Sequence, residues 1–459
     1  MKHWNKYVGS RDTAKTLVSV LATSSAAPGT APSATTFSRR RLLARLGLLT
    51  ATIAAAPALA AQPPRPRCDK GAEQLMALRE YEKALAALPS EADSPVLKDL
   101  HERYSKLRIQ KKMIPATRLD PVTRARHTVN MAVFQTGKVG ADRIAVLIHG
   151  CLADHETWRY IAATLGEDHE LWMLDLPGCG ESDGHPDHLE SDAFTPAALA
   201  ERVGIVLEQC LKQCLADRAA LCRPAPRLTL VGHSLGGTIS LRLLSTPELR
   251  NRFAGVRQHL DALVLFAPCD VAVNCLPPSF LPLLSLTPVK VGVGRALGVV
   301  DDKVKALTRK SYFLPECATR EQAEHFMGAL AKPAHLRSNQ AMVRGAVPWK
   351  MKENRPDWPA IVRLETNYTN VDVPCLIAWG KWDETLTETM GHKIRDYVPG
   401  ARLVEITHAG HSVMSEQPLA CAHIIRTGQA EVEGGRFAAL PSVCNYGTKP
   451  FDGPFTVAT

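Results

Sequence analysis

The 459-residue chain lacks any basic cluster interleaved with aromatics once its first 60 residues are set aside. Those residues hold eight Lys and Arg against one Asp, which is +7 of the total of +9, so the rest is close to neutral. That balance leaves no surface for tracking phosphates, and nucleic acid is not an expected partner. Nor is there a strong membrane span: the most apolar early stretch, residues 42–61, contains Arg45 and several Ala and Thr, too weak a composition for a stable crossing. Metal spacing is missing as well. Cys210 and Cys214 share a helical face but have no paired ligands nearby, so neither a metal nor a cofactor is expected. No internal repeat is evident.

What is present begins with Gly232-His233-Ser234-Leu235-Gly236, directly after the apolar run Leu228-Thr229-Leu230-Val231. A strand that must turn into a helix on one residue strains that residue and crowds its neighbours, which calls for glycine two positions before and two after. The serine hydroxyl is thereby pushed into the open. The following Gly237-Thr238-Ile239-Ser240-Leu241 reads as the start of a helix with an apolar face.

A neutral hydroxyl is a poor nucleophile, and needs a base together with a carboxylate that holds the base in the right tautomer. Pro374-Cys375-Leu376-Ile377-Ala378-Trp379 reads as a buried strand, with Asp383 in the loop after it. Ala401-Arg402-Leu403-Val404-Glu405-Ile406 is another strand, followed by a loop carrying His408 and His411. The order is Ser, Asp, His, each beyond the carboxyl end of its own strand. Asp270, after the strand over residues 262–266, is a rival for the acid.

These segments, with Ile144-Ala145-Val146-Leu147-Ile148 leading into His149-Gly150 and with Asp175-Leu176-Pro177-Gly178-Cys179-Gly180, resemble the α/β-hydrolase family. The resemblance covers residues 128–427. It implies an α/β fold with a mostly parallel, doubly wound sheet. It also implies Ser234 as nucleophile, His411 as general base, Asp383 as acid, and an oxyanion hole formed by the backbone N–H of Leu235 with that of Cys151 or Leu152. His149 is expected to orient the oxyanion loop, and His408 to stand behind the site or at the surface. Trp379 and Trp382 read as packing.

The expected organisation is a signal peptide over 1–60 and a linker with a helical extension over 61–126. The hydrolase core spans 127–268 and 371–427, interrupted by a helical cap over 269–370, and a tail covers 428–459. Helical patterns run over residues 320–331 and 334–345 of the cap, and its apolar Phe280, Leu281, Leu283, Leu284 and Leu286 form either its own core or a substrate wall. Ser38-Arg39-Arg40-Arg41-Leu42-Leu43 is similar to the twin-arginine export signature, and Ala58-Leu59-Ala60 supplies small residues for cleavage. Arg39 and Arg40 therefore address the chain to the export machinery, and the mature protein is expected in the periplasm or secreted. All 12 cysteines lie beyond that point, so disulfides are expected. Chain proximity suggests Cys269 with Cys275 and Cys421 with Cys444, and Cys375 reads as a buried thiol.

Ser234 at the elbow excludes the chemistry of epoxide hydrolases and dehalogenases, which place Asp there. A complete Ser, Asp and His set argues against a scaffold used only for binding. Hydrolysis of a carboxylic ester of a small-molecule acyl substrate is the leading expectation. Amide or peptide cleavage, C–C bond hydrolysis and acyl transfer by the same triad are the alternatives.

Overall fold

In the computed structural model the described residues are 88–184, 192–269, 311–350, 353, 355–406, 408–432 and 456–457, all within the compact unit Met76–Thr459. Residues 1–60 with Arg39 and Arg40, the linker, Asp270, the cap run from Phe280 to Leu286, Cys275 and Cys444 lie outside them.

The chain runs through α1 (Pro95–Ser105), β1 (Gln110–Leu119), β2 (Arg126–Gly137), β3 (Arg143–Ile148), α2 (Arg159–Leu165) and β4 (Glu170–Leu174). It continues through α3 (Pro196–Ala220), β5 (Arg227–His233), α4 (Leu235–Ser245) and β6 (Leu260–Phe266). Next come α5 (Arg320–Ala331), α6 (Pro333–Gly345), a short hairpin of β7 (Trp349–Lys350) and β8 (Arg355–Pro356), and α7 (Trp358–Thr366). The last elements are β9 (Cys375–Gly380), α8 (Thr389–Tyr397), β10 (Arg402–Ile406), α9 (Val413–Glu416), α10 (Pro418–Val432) and β11 (Thr456–Val457).

Among the described residues nine strands form one sheet in the order β1-β2-β4-β3-β5-β6-β9-β10-β11. The six from β4 to β10 are parallel, while β1, β2 and β11 are antiparallel additions at the edges. Both faces are covered, as the near-continuous apolar strands require. In β3, Ile144, Val146 and Ile148 join the cluster that includes α3 and α4, whereas Ala145 and Leu147 join the cluster that includes α1, α2 and α10. The expected doubly wound α/β architecture is the one that forms. Among the described residues no helix is long and apolar enough to cross a membrane.

Three boundaries and pairings differ from expectation. Within the helical extension expected over 61–126, helix ends at Ser105, and Gln110–Leu119 is a strand of the main sheet. At the sheet edge most of its side chains meet solvent, so no two-residue apolar alternation marks it, and Pro115 is tolerated there. The cap also ends earlier than residue 370. Arg242 of α4 donates to the Leu364 carbonyl and lies over the Tyr368 ring, and Asn370 donates to the Ser245 carbonyl. The stretch from α7 onward is therefore the crossover that two parallel strands, β6 and β9, require. Finally, Cys269 and Cys421 are thiols, contrary to the two expected pairings. Cys421 sits fully buried on α10, its S–H directed at the Val413 carbonyl. Cys375 is a buried thiol as expected, and Cys317 is disulfide-bonded.

The segment ahead of α1 is tied to both the cap and the core. Arg320 N–H donates to the Pro89 carbonyl, and Glu321 accepts from Ser90 Oγ at 2.7 Å and from the Glu91 N–H. The Glu91 carboxylate forms a buried ion pair with Arg159 of α2. Leu97, Leu100 and Tyr104 of α1 then pack beside Trp158 and Ile161.

Candidate active site

β5 ends at His233 and α4 begins at Leu235, so the change of direction falls on Ser234, with φ 51° and ψ −119°. A serine held there is strained, and the surroundings must enforce it. Its N–H donates to the Phe266 carbonyl and its own carbonyl accepts from the Cys269 and Gly237 N–H groups, each at 3.0 Å. A Cβ on Gly232 would stand 2.6 Å from the Gly236 carbonyl oxygen, and one on Gly236 only 2.1 Å from that of Ile148. The two glycines are thus the minimum the turn requires.

Asp383, after β9, and His411, after β10, meet at the same end of the sheet. His411 Nδ1 donates to Asp383 Oδ2 at 2.7 Å, and both side chains are buried. Asp383 Oδ1 accepts the N–H groups of Thr385 and Leu386, each at 2.8 Å. The carboxylate can only accept, so the Nδ1 proton is fixed and Nε2 is the acceptor. No hydrogen bond joins Ser234 Oγ to His411 Nε2 among the described residues; such contacts commonly tighten only with substrate bound. His233, the residue before the serine, brings the two loops together. Its Nε2 donates to the His411 carbonyl at 3.0 Å, and the rings lie 4.8 Å apart. Burial, with His411 nearby, holds the His233 imidazole well below its ordinary pKa and hence neutral.

The loop after β3 lies against the serine: a Cβ on Gly150 would fall 2.9 Å from Ser234 Cβ. His149 fixes its path. Nδ1 donates to the Gly150 carbonyl at 2.7 Å and Nε2 accepts from Leu176 N–H at 3.0 Å. Burial lowers its pKa, which favours this neutral, two-sided arrangement. Of the expected oxyanion donors, the N–H groups of Leu235 and Cys151 have no acceptor among the described residues, whereas Leu152 N–H donates to Asn339 Oδ1 at 2.9 Å. Leu152 N–H is thus already engaged, whereas Cys151 N–H is not. Burial pushes the Cys151 thiol up to about 12, so it stays protonated.

Two polar knots brace these loops. Asp154, His155 and Asp175 bring ligand-type atoms within 4.8 Å of one another. Their atoms already have partners: Asp175 accepts from His155 Nδ1, the His155 N–H and the Glu181 N–H, and Asp154 pairs with His325. Burial disfavours the His155 proton, but the Asp175 and Glu156 carboxylates outweigh it and raise the pKa to about 10. The second knot is Glu416 on α9, fully buried, which accepts the N–H groups of Phe313, Leu314 and Gly410, each at 2.7 Å. Burial raises its carboxyl to about 8 against the pull of those three donors. Gly410 precedes His411, so Glu416 sets where the imidazole is hung.

His408 stands edge-on to Phe313, outside the reacting groups. Trp379 is in the core, while Trp382 is half exposed and stacks on Phe313 at 5.2 Å. His233, Asn339 and Glu416 were not singled out from the sequence. Only His233 had a signal there, as the residue inside the Gly-x-Ser-x-Gly step.

Comparison with known proteins agrees with this architecture. The family model for the Alpha/beta hydrolase family matches residues 145–424. An uncharacterised protein of Mycobacterium tuberculosis is 23% identical over 315 residues, 66% of this chain and 81% of that one. The pimeloyl-[acyl-carrier protein] methyl ester esterase of Aeromonas salmonicida is 24% identical over 61% of this chain and 93% of its own. Among solved structures, a serine hydrolase from the polyaromatic hydrocarbon-degrading bacterium Cycloclasticus zankles superposes with a TM-score of 0.51 at 16% identity, over 71% of this chain and all of that one. The strand order, the strained elbow serine and the family match together establish that this chain belongs to the alpha/beta hydrolase family.

Proposed function

We propose that this chain is an exported serine hydrolase that cleaves a carboxylic ester of a small acyl substrate through an acyl-enzyme on Ser234. The observation that carries the reading is the 2.7 Å bond from His411 Nδ1 to Asp383 Oδ2, set in the loops beside a strained serine. As Ser234 Oγ attacks the acyl carbon, His411 Nε2 takes its proton and Asp383 stabilises the imidazolium. The oxygen of the tetrahedral intermediate takes the negative charge, and the N–H groups of Leu235 and Cys151 receive it. His411 returns the proton to the departing alcohol. Water, activated by the same imidazole, then clears the acyl group. The reaction asks for no cofactor or metal. Similarity to an esterase over most of that enzyme's length supports ester over amide.

The experiment is active-site labelling. A fluorophosphonate should label the protein once, on the peptide containing Ser234, and Ser234→Ala should remove both labelling and hydrolysis of p-nitrophenyl esters. Labelling that survives the substitution refutes the assignment. Aminoacyl amides cleaved faster than esters would replace ester hydrolysis by amide cleavage. Arg39 and Arg40 act as the export address in this reading, so Lys at both should leave the precursor in the cytoplasm.

A further inference from the structure

The cap reaches into the oxyanion loop through one side chain. Asn339 on α6 is fully buried, and its Oδ1 faces three donors: Leu152 N–H at 2.9 Å, Cys151 Sγ at 3.5 Å and Cys179 Sγ at 4.0 Å. Its Nδ2 donates to the His335 carbonyl one turn earlier at 3.0 Å. Donors on one side and an acceptor on the other leave one orientation of the amide. Leu152 carries φ 60°, unusual for a residue with a branched side chain, and Asn339 is the partner of its N–H. A buried N–H without an acceptor costs about 1–3 kcal/mol. The Asn339 acceptor on α6 therefore stabilises the loop in this conformation.

We propose that Asn339 is a positioning residue for the oxyanion hole: by accepting the Leu152 N–H it fixes the peptide plane whose neighbour, Cys151 N–H, faces the reacting carbonyl. The inference rests on the serine-hydrolase reading above. It makes the docked cap a condition for catalysis. The effect falls on the acylation barrier, where charge develops, rather than on binding of the uncharged ester.

The test compares Asn339→Leu, which keeps the volume and removes the acceptor, with Asn339→Asp. As a neutral acid the aspartate can still accept from Leu152 and donate to the His335 carbonyl. Asn339→Ala, which admits water to the Leu152 N–H, serves if the leucine variant does not fold. Fluorophosphonate labelling rate, and kcat and KM for p-nitrophenyl butyrate, are read alongside Tm. The leucine variant should lose about 10- to 100-fold in labelling rate and kcat with KM nearly unchanged, and the aspartate should recover most of it. A purely structural role predicts a lower Tm with kcat per folded molecule intact, and that result overturns the proposal. Wild-type protein inert to the fluorophosphonate would overturn the serine-hydrolase reading itself. A labelled wild type matched in rate by Asn339→Leu would overturn only the role of Asn339.

Discussion

Asp383→Asn tests the site through a detail of how the carboxylate is held. Oδ1 is fixed by two backbone donors, Thr385 and Leu386, and Oδ2 faces His411 Nδ1. An amide in that pocket must keep its oxygen toward the two N–H groups, which turns its NH₂ toward the imidazole. Two donors cannot face each other, so His411 moves its proton to Nε2, the nitrogen that must accept from Ser234. The base is disabled without being displaced. The corresponding change in a serine protease costs about 10⁴-fold, equal to about 5.5 kcal/mol of barrier. We therefore expect kcat for p-nitrophenyl butyrate to fall by about four decades, with KM close to wild type and Tm little changed, since no buried group is left unpaired. A loss under tenfold, or greater damage from Asp270→Asn, would refute the argument.

Two further outcomes follow from the buried charges. Glu416→Gln sets an NH₂ against at least one of three backbone donors, so Tm should fall by an amount equivalent to about 1–3 kcal/mol, and kcat with it, as Gly410 and His411 lose their anchor. Because the folded-state pKa of Glu416 is raised by burial from 4.5 to about 8, the stability linked to its proton is complete below pH 4.5 and lost as pH rises through 8; the variant should flatten that part of the Tm profile. His155, raised from 6.5 to about 10, likewise contributes stability that is full below pH 6.5 and lost on the way to 10, so His155→Gln should remove that alkaline slope in a melting series.

The serine, acid and base proposed for the reaction are legible in the sequence because each is announced locally. Ser234 sits between obligatory glycines, and Asp383 and His411 follow apolar strands that any parallel sheet would bury. What supports them is not local. Asn339 meets Leu152 across 187 residues of chain, and nothing in the α6 sequence distinguishes that amide from its neighbours. Glu416 sits close to His411 in the chain, yet its other partners, Phe313 and Leu314, belong to a segment about a hundred residues away. That the cap occupies the Leu152 N–H and leaves the Cys151 N–H was hidden for the same reason. β1 was missed because an edge strand in water need not alternate, and the cysteine pairings failed because nearness along the chain does not bring Cys421 out of the core.

The ties ahead of α1 bear on how this protein tolerates being shortened. The region matched by the family begins at residue 145, which invites trimming to that point. Such a trimmed chain would lose Glu91, leaving the buried guanidinium of Arg159 uncompensated, a change that costs about 3–5 kcal/mol in comparable cases. It would also lose the Pro89 carbonyl and the Ser90 hydroxyl that moor Arg320 and Glu321 at the first turn of α5. Cleavage between Glu91 and α1 would cut the same three partners off from the rest of the chain, and should lower the melting temperature although the cut lies far along the sequence from Ser234, Asp383 and His411.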